Sequence, residues 1–353
     1  NALDWNWNLM SLPSISVIIA TRNRPEALQL SLPLYLHQSL APHELVIVDA
    51  SGHPDKVEVK RVVDEFTAQA TFPVQFLTSE PSAAAQRNLG AKDCSGDVLF
   101  FPDDDSLLYP DTMEKLADVY ALDADGALAG VSCKNARVSP LDEQAETEPK
   151  ASPSFSPDQP SRLRRFSQRV DNRYLKTPLV VLGDTIRMNN RLPDAVASHG
   201  CRPLSWQPGF LMSFRADAFR RVPFNQNLKK YSWGEDRDIC FGMIEEGAFA
   251  RAPDAWIYHH RFPGRRGEGY WFGKTLILNH IYILCRHTEK GHPARKEAWR
   301  FLTFEFGKAL ARLFADADER QRGLGTMSAM RGAVQLLRAR RDDLDMLYLK
   351  LTD

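Results

Sequence analysis

Short apolar runs alternate with longer amphipathic stretches through the first hundred positions of the chain. Ile15–Ala20, Leu45–Val48, Val74–Leu77 and Val98–Phe101 are the apolar runs. Runs of this length, bounded by turn residues, read as buried strands. Between them, Pro25–Gln38, residues 55–69 and Ser82–Lys92 place apolar groups at helical spacing. Pro25 falls in a first turn, where its missing N–H costs nothing, and Ser82 is suited to cap the third helix. Strands alternating with helices predict a mostly parallel, right-handed α/β sheet.

The pattern changes after residue 135. Residues 139–161 hold Pro140, Pro149, Pro153, Pro157 and Pro160 among acidic and serine residues, the composition of a flexible loop or linker. Signal returns with the aromatic-rich segment Trp206–Arg215 and with Trp233-Gly-Glu-Asp-Arg-Asp238, which runs into a helix ending at Gly247. Asp254–Arg261 reads as a strand ending in His259 and His260. From Tyr270 to Asp353 the spacing is helical. Trp271–Cys285 is strongly apolar but interrupted by Lys274 and Asn279, which predicts a buried or interfacial helix rather than a spanning one.

Charge and composition narrow the function. The 353 residues carry 45 basic and 45 acidic side chains, a formal net charge of zero. That argues against a wholly electrostatic partner, so no nucleic-acid partner is expected. Five scattered cysteines without zinc spacing predict reduced thiols and a cytoplasmic setting. The first ten residues lack the pattern of a signal peptide. Arg162, Arg164, Arg165, Arg169 and Arg173 form a basic stretch. It reads first as a solvated helix face. The alternative is contact with a phosphate-bearing acceptor or with anionic lipid, as a peripheral protein at the inner face of the membrane.

The candidate chemistry centres on Asp103, Asp104 and Asp105, directly after the fourth apolar run. Open α/β sheets bind ligands at the carboxyl ends of their strands. Three crowded carboxylates need compensation, which a hard divalent cation would supply. The other reading is a solvated acidic turn that caps the next helix. Asp49 ends the second strand, where a carboxylate can accept hydrogen bonds from a ribose or a base. The turn after the first strand, Thr21-Arg-Asn-Arg-Pro25, has no glycine. That excludes the dinucleotide fingerprint, and no P-loop is present.

Four segments in this order, Val17-Ile-Ile-Ala-Thr-Arg-Asn-Arg24, Leu45-Val-Ile-Val-Asp-Ala-Ser51, Ala84-Ala-Gln-Arg-Asn-Leu-Gly90 and Gly96-Asp-Val-Leu-Phe-Phe-Pro-Asp-Asp-Asp105, resemble the nucleotide-sugar half of family 2 glycosyltransferases. Pro102 is a departure, at a position where the family more often has an aliphatic residue. The resemblance implies a GT-A fold: an α/β, Rossmann-like sheet, here with a helical carboxyl-terminal extension. It divides the chain into a tail (1–13), a catalytic domain (14–269) and the extension (270–353). The catalytic domain comprises a donor half (14–135), a variable loop region (136–200) and an acceptor half (201–269).

The implied activity is inverting transfer of a sugar from a nucleoside-diphosphate sugar to a hydroxyl of a saccharide or lipid-linked saccharide, as in surface polysaccharide or glycoconjugate synthesis. By the same resemblance, Thr21, Arg22, Asp49, Arg87, Asp103 and Asp104 would contact the donor. Asp105 with His259, or His260 as the fallback, would hold Mn²⁺ or Mg²⁺. Asp236 would be the general base, with Glu235 beside it. The loop Phe262–Gly269 would close over the diphosphate. Two rival readings are a non-catalytic nucleotide- or sugar-binding scaffold and a nucleotidyltransferase on a similar fold. The first is disfavoured because the acidic and histidine positions are all filled, the second because the first loop lacks glycine.

Overall fold

A computed structural model of the chain describes residues 12–142, 177–228, 233–262 and 269–352. The basic stretch of Arg162–Arg173 and most of the loop Phe262–Gly269 lie outside the described residues.

The amino-terminal part follows the hydrophobic pattern. Strands β1 (Ile15–Thr21), β2 (Glu44–Asp49), β3 (Val74–Thr78) and β4 (Val98–Phe101) are joined by helices α1 (Pro25–Ser31), α2 (Asp55–Thr67) and α3 (Ala83–Ala91). These four strands pair in parallel in the order β3-β2-β1-β4. Helix α1 is shorter than its spacing suggests. It tightens into a 3₁₀ turn at Leu32–Tyr35, where Pro33 cannot donate an α-helical hydrogen bond. Ser82 caps α3, its hydroxyl accepting from the Ala85 N–H.

Beyond β4 the sheet is mixed, not mostly parallel. The later elements are β5 (Ser106–Leu108), α4 (Thr112–Ala121), β6 (Leu128–Asn135), α5 (Pro178–Asn189), α6 (Asp194–Ser198), β7 (Arg202–Leu204), β8 (Met212–Arg215), α7 (Ala216–Arg221), α8 (Glu235–Gly242) and β9 (Ala248–His259). The sheet continues β4-β8-β6-β9-β5, with β7 also on β9. β8 is antiparallel to both β4 and β6, and β9 is antiparallel to β5 and β7 but parallel to β6. β8 is reached through α5, α6 and β7 rather than by a single crossover helix, so nothing forces it parallel. Helix α8 ends at Gly242, five residues before the glycine expected to close it, and β9 starts at Ala248, ahead of the expected Asp254.

Both faces of the sheet are covered. Along β1, Ile15, Val17 and Ile19 pack beneath α1, α2 and α4, while Ile18 faces the opposite core with Phe101, Phe214 and Phe224. This two-residue alternation within a run that is apolar except for Ser16 is what burial on both faces requires.

The carboxyl-terminal residues form helices α9 (Gly269–Arg286), α10 (Pro293–Arg312), α11 (Ala317–Arg338) and α12 (Leu344–Thr352). Helices α9 and α11 pack so closely that a Cβ at Gly325 would lie 1.9 Å from the Tyr270 carbonyl oxygen, and one at Gly273 2.1 Å from that of Arg322. The apolar run of α9 is spent on this packing: Ile277, Ile281, Tyr282 and Leu284 are fully buried. No helix of the described residues is long and apolar enough to cross a membrane.

Candidate active site

The site forms where β1, β2 and β4 end together, because parallel strands in register expose their last side chains along one edge. Thr21 pairs with Asp49 in the β1–β2 ladder, and Ala20 bridges to Asp103 just past β4. Gln86, buried on α3, ties this edge together by donating to the carbonyl oxygens of Thr21 (2.9 Å) and Val48 (2.8 Å).

The acidic triplet is compensated in part by the protein itself. Arg24 donates to Asp104 Oδ1 at 2.8 Å and to Asp105 Oδ2 at 2.5 Å. Thr21 Oγ1 donates to Asp104 Oδ2 at 2.8 Å. Arg87 donates to Asp103 Oδ1 and to Glu235 Oε1, both at 2.9 Å. Four carboxylates therefore share two guanidiniums, and negative charge remains in excess. Burial raises Asp104 to about 7, aided by the charge of Asp105 and opposed by Arg24. Burial works the same way on Asp105, but the His259 ring and then Arg24 overcome it and hold Asp105 well below the usual carboxylate range.

The residues present fit a cation. Ligand atoms of Asp103, Asp105 and His259 all lie within 4.8 Å of one another. Asp105 Oδ1 is buried without a hydrogen bond and sits 3.2 Å from His259 Nε2. Two carboxylates and an imidazole are a donor set for a divalent ion, and the nitrogen favours Mn²⁺ over Mg²⁺. Phe210 stacks on the His259 ring with centroids 4.4 Å apart, which fixes the ring plane. His259 is the last residue of β9, opposite Ser106. His260 lies one residue past the strand, outside this group. Its backbone N–H donates to the Asp105 carbonyl oxygen at 3.1 Å, and its exposed ring lies 5.4 Å from Phe262.

Asp49 is almost fully buried at the end of β2. Its Oδ1 accepts from the Ser51 N–H and hydroxyl, at 2.9 and 2.5 Å, while Oδ2 has no hydrogen-bond partner among the described residues. A buried carboxylate oxygen left unpaired is costly, and a ligand N–H or O–H would satisfy it. Arg22 is exposed next to this edge.

Glu235 and Asp236 open α8. Gly234 before them adopts φ +89°, a left-handed conformation that glycine tolerates, and a Cβ there would lie 2.8 Å from Ile283 Cδ1. Carboxylates in a first turn are stabilised by its free N–H groups. Asp236 Oδ1 accepts from the Arg237 N–H at 2.8 Å. Burial raises both carboxyls above their ordinary values; the charge of Asp236 adds to the rise at Glu235, while Arg237 and Arg87 oppose the rise at Asp236. Asp238, in the same first turn, is not available for proton transfer. It accepts from Arg286 Nε at 3.1 Å and pairs with His287 Nε2 at 2.8 Å, which fastens α8 to α9. A second tie is Asn279 of α9, which donates to the Trp233 carbonyl oxygen at 3.0 Å and accepts from Tyr348 Oη at 2.6 Å.

Three contributors escape sequence reasoning. Arg24 and Gln86 stand inside recognised segments but have no chemistry until the strands converge. Phe210 stands in the aromatic-rich segment Trp206–Arg215, but nothing local pairs it with His259. The one available clue was the charge of the triplet, which required cations from somewhere in the chain.

The chain is similar to known glycosyltransferases in sequence and in fold. The model of Glycosyl transferase family 2 matches residues 16–192. The uncharacterized glycosyltransferase YwdF of Bacillus subtilis (strain 168) is 35% identical over 105 residues, which are 29% of this chain and only 37% of YwdF. TarS of S. aureus superposes with a TM-score of 0.51 at 14% identity, over 96% of this chain and 55% of TarS. TarS 1-349 in complex with UDP-GlcNAc gives a TM-score of 0.51 at 14% identity, over 96% of this chain and 90% of that one. The sheet order and these superpositions establish the GT-A fold. The family match spans half of the chain and takes in β1 through α5 with the whole acidic triplet, so the chain belongs to glycosyl transferase family 2.

Proposed function

We propose that this protein transfers a glycosyl group from a nucleoside-diphosphate sugar to a saccharide hydroxyl, with inversion and with a divalent cation at Asp103, Asp105 and His259. The observation that carries the reading is the orphaned, buried Asp105 Oδ1 beside His259 Nε2 at the carboxyl edge of the sheet. Asp49 Oδ2, unpaired at the end of the neighbouring strand, suits a hydrogen bond from the nucleoside. Thr21, Arg22 and Asp104 border the same edge.

In this reading Asp236 accepts the proton of the acceptor hydroxyl as that oxygen attacks the anomeric carbon. The bond from carbon to the diphosphate oxygen breaks on the opposite face, so one displacement inverts the centre. The raised proton affinity of Asp236 makes it a stronger base than an ordinary carboxylate. Arg87 keeps Glu235 and Asp103 in fixed relation, which holds the donor and acceptor sides in register. The cation, when bound, supplies Lewis-acid stabilisation of the departing diphosphate. The acceptor class, a saccharide or lipid-linked saccharide, is carried over from the family resemblance.

The TarS complex makes UDP-GlcNAc the first donor to try. Calorimetry of the full chain with UDP-GlcNAc and with GDP-mannose, each with Mn²⁺ and with EDTA, tests the proposal. Metal-dependent binding of either sugar nucleotide is expected. Absence of binding to both in the presence of Mn²⁺ would count against the donor assignment.

A further inference from the structure

Helix α10 presents an anomalous outer face. Its inner face, with Ala294, Ala298, Phe301, Leu302 and Ala309, is buried against the extension. Its outer face should then be polar, as on an ordinary surface helix. Instead Trp299, Phe306 and Leu310 are 47%, 41% and 41% exposed, and Phe314 in the turn that ends the helix is 91% exposed. Their spacings of seven, four and four residues place them on one stripe. Every exposed Trp or Phe among the described residues lies on this stripe.

The amino-terminal end of the stripe is cationic. Trp299 lines a cavity of about 230 Å³ together with Lys290, His292, Arg295 and Lys296, and none of the seven lining residues is acidic. Arg295 is spent on the Thr288 and Cys285 carbonyl oxygens, and Arg300 on Glu297, so the exposed charge rests chiefly on Lys290 and Lys296. At the far end, Asp316 caps α11 and Glu319 pairs with Arg312 at 3.0 Å.

We infer that the outer face of α10 docks on an anionic lipid surface, with Trp299, Phe306, Leu310 and Phe314 entering the headgroup boundary and Lys290 and Lys296 meeting the lipid phosphates. The charge complementarity selects this occupant. An anionic bilayer satisfies the aromatic stripe and the cations together. A second copy of the chain would press the same cations against an apolar or equally cationic face. The inference goes beyond the transferase reading and does not depend on it.

Co-sedimentation of the full chain with vesicles of phosphatidylcholine containing phosphatidylglycerol, against pure phosphatidylcholine, tests it, with light scattering in parallel. Binding to the anionic vesicles alone is expected, weakening as salt rises. Lys290→Gln with Lys296→Gln should lower the partition coefficient roughly thirtyfold, from about fivefold per cation. Phe306→Ser with Phe314→Ser should abolish binding while leaving circular dichroism unchanged. No pelleting with anionic vesicles, or equal pelleting with neutral ones, overturns the inference. So does an unaltered partition in the lysine variant. A solution dimer that the phenylalanine variant dissociates, without vesicle binding, would assign the face to self-association instead.

Discussion

Arg87 donates to Glu235 Oε1 at 2.9 Å across 148 positions of the chain, and its second nitrogen holds Asp103. This buried guanidinium joins α3, behind the carboxyl edge of the sheet, to α8, which opens with Glu235. Removing it strands carboxylates that depend on it. We predict that Arg87→Met destabilises the protein by about 3–5 kcal/mol at pH 8, the range for breaking one side of a buried ion pair. Arg87 opposes the upward push of burial on Glu235, so its loss raises that carboxyl further. A raised carboxyl favours the folded state below its ordinary pKa and loses that advantage as pH rises through the folded value. The deficit should therefore shrink at pH 5, which urea unfolding at the two pH values would reveal.

Asp105→Asn should uncouple diphosphate binding from metal. The amide keeps the shape of the side chain but replaces an anionic ligand oxygen. Titrating UDP into the variant and the parent with Mn²⁺ and with EDTA measures this. The parent should lose affinity on chelation, and the variant should bind weakly in both. Equal affinity of the two proteins under both conditions would remove Asp105 from the metal site.

Asp236→Asn should leave UDP affinity within about twofold of the parent and reduce turnover by about 10²- to 10⁴-fold, the usual contribution of a general base. In the parent the rate should rise with pH as Asp236 loses its proton, with a midpoint above that of an ordinary carboxylate. Single-turnover transfer across pH checks both statements. Turnover near the parent rate would reduce Asp236 to a helix cap.

Asp238 is the acid-sensitive fastening of α8. Burial raises its proton affinity, but the His287 hydrogen bond and the charges of His287 and Arg286 prevail, so its pKa lies below the ordinary value. A depressed carboxyl stabilises the fold above its unfolded pKa of about 4 and ceases to do so as pH falls through the folded value. Asp238→Asn should cost about 1.5–3 kcal/mol at neutral pH, the worth of hydrogen bonds to a charged group. It should also flatten the stability profile below about pH 4. Thermal unfolding from pH 2 to 7 would show whether the two profiles converge in acid.

Gly234→Ala should cost about 1–3 kcal/mol, because an alanine at φ +89° is strained and its Cβ would meet Ile283. The damage should fall on Asp236 as well, through the displaced start of α8. A kcat lowered more than UDP affinity in the variant is the expected signature.

The sequence by itself determined the four parallel strands, the carboxylates at their ends and the family. Each rests on local information: an apolar run such as Ile15–Ala20, a turn, or a short ordered motif such as Asp103–Asp105. It also contained Glu235 and Asp236 at a helix start, since a glycine followed by acids marks one. The tertiary structure decided what surrounds these groups. Whether His259 or His260 joins the acidic cluster depends on the pairing of β9 with β5, because neighbouring strand residues face opposite ways. That Arg24 would reach Asp104, 80 positions away, follows from β1 and β4 lying side by side. The antiparallel insertion of β8 between β4 and β6 has no local signature either. Hydrophobic periodicity records which residues are buried. It does not record against what they are buried, and ion pairs, metal ligands and strand order are all relations between distant segments.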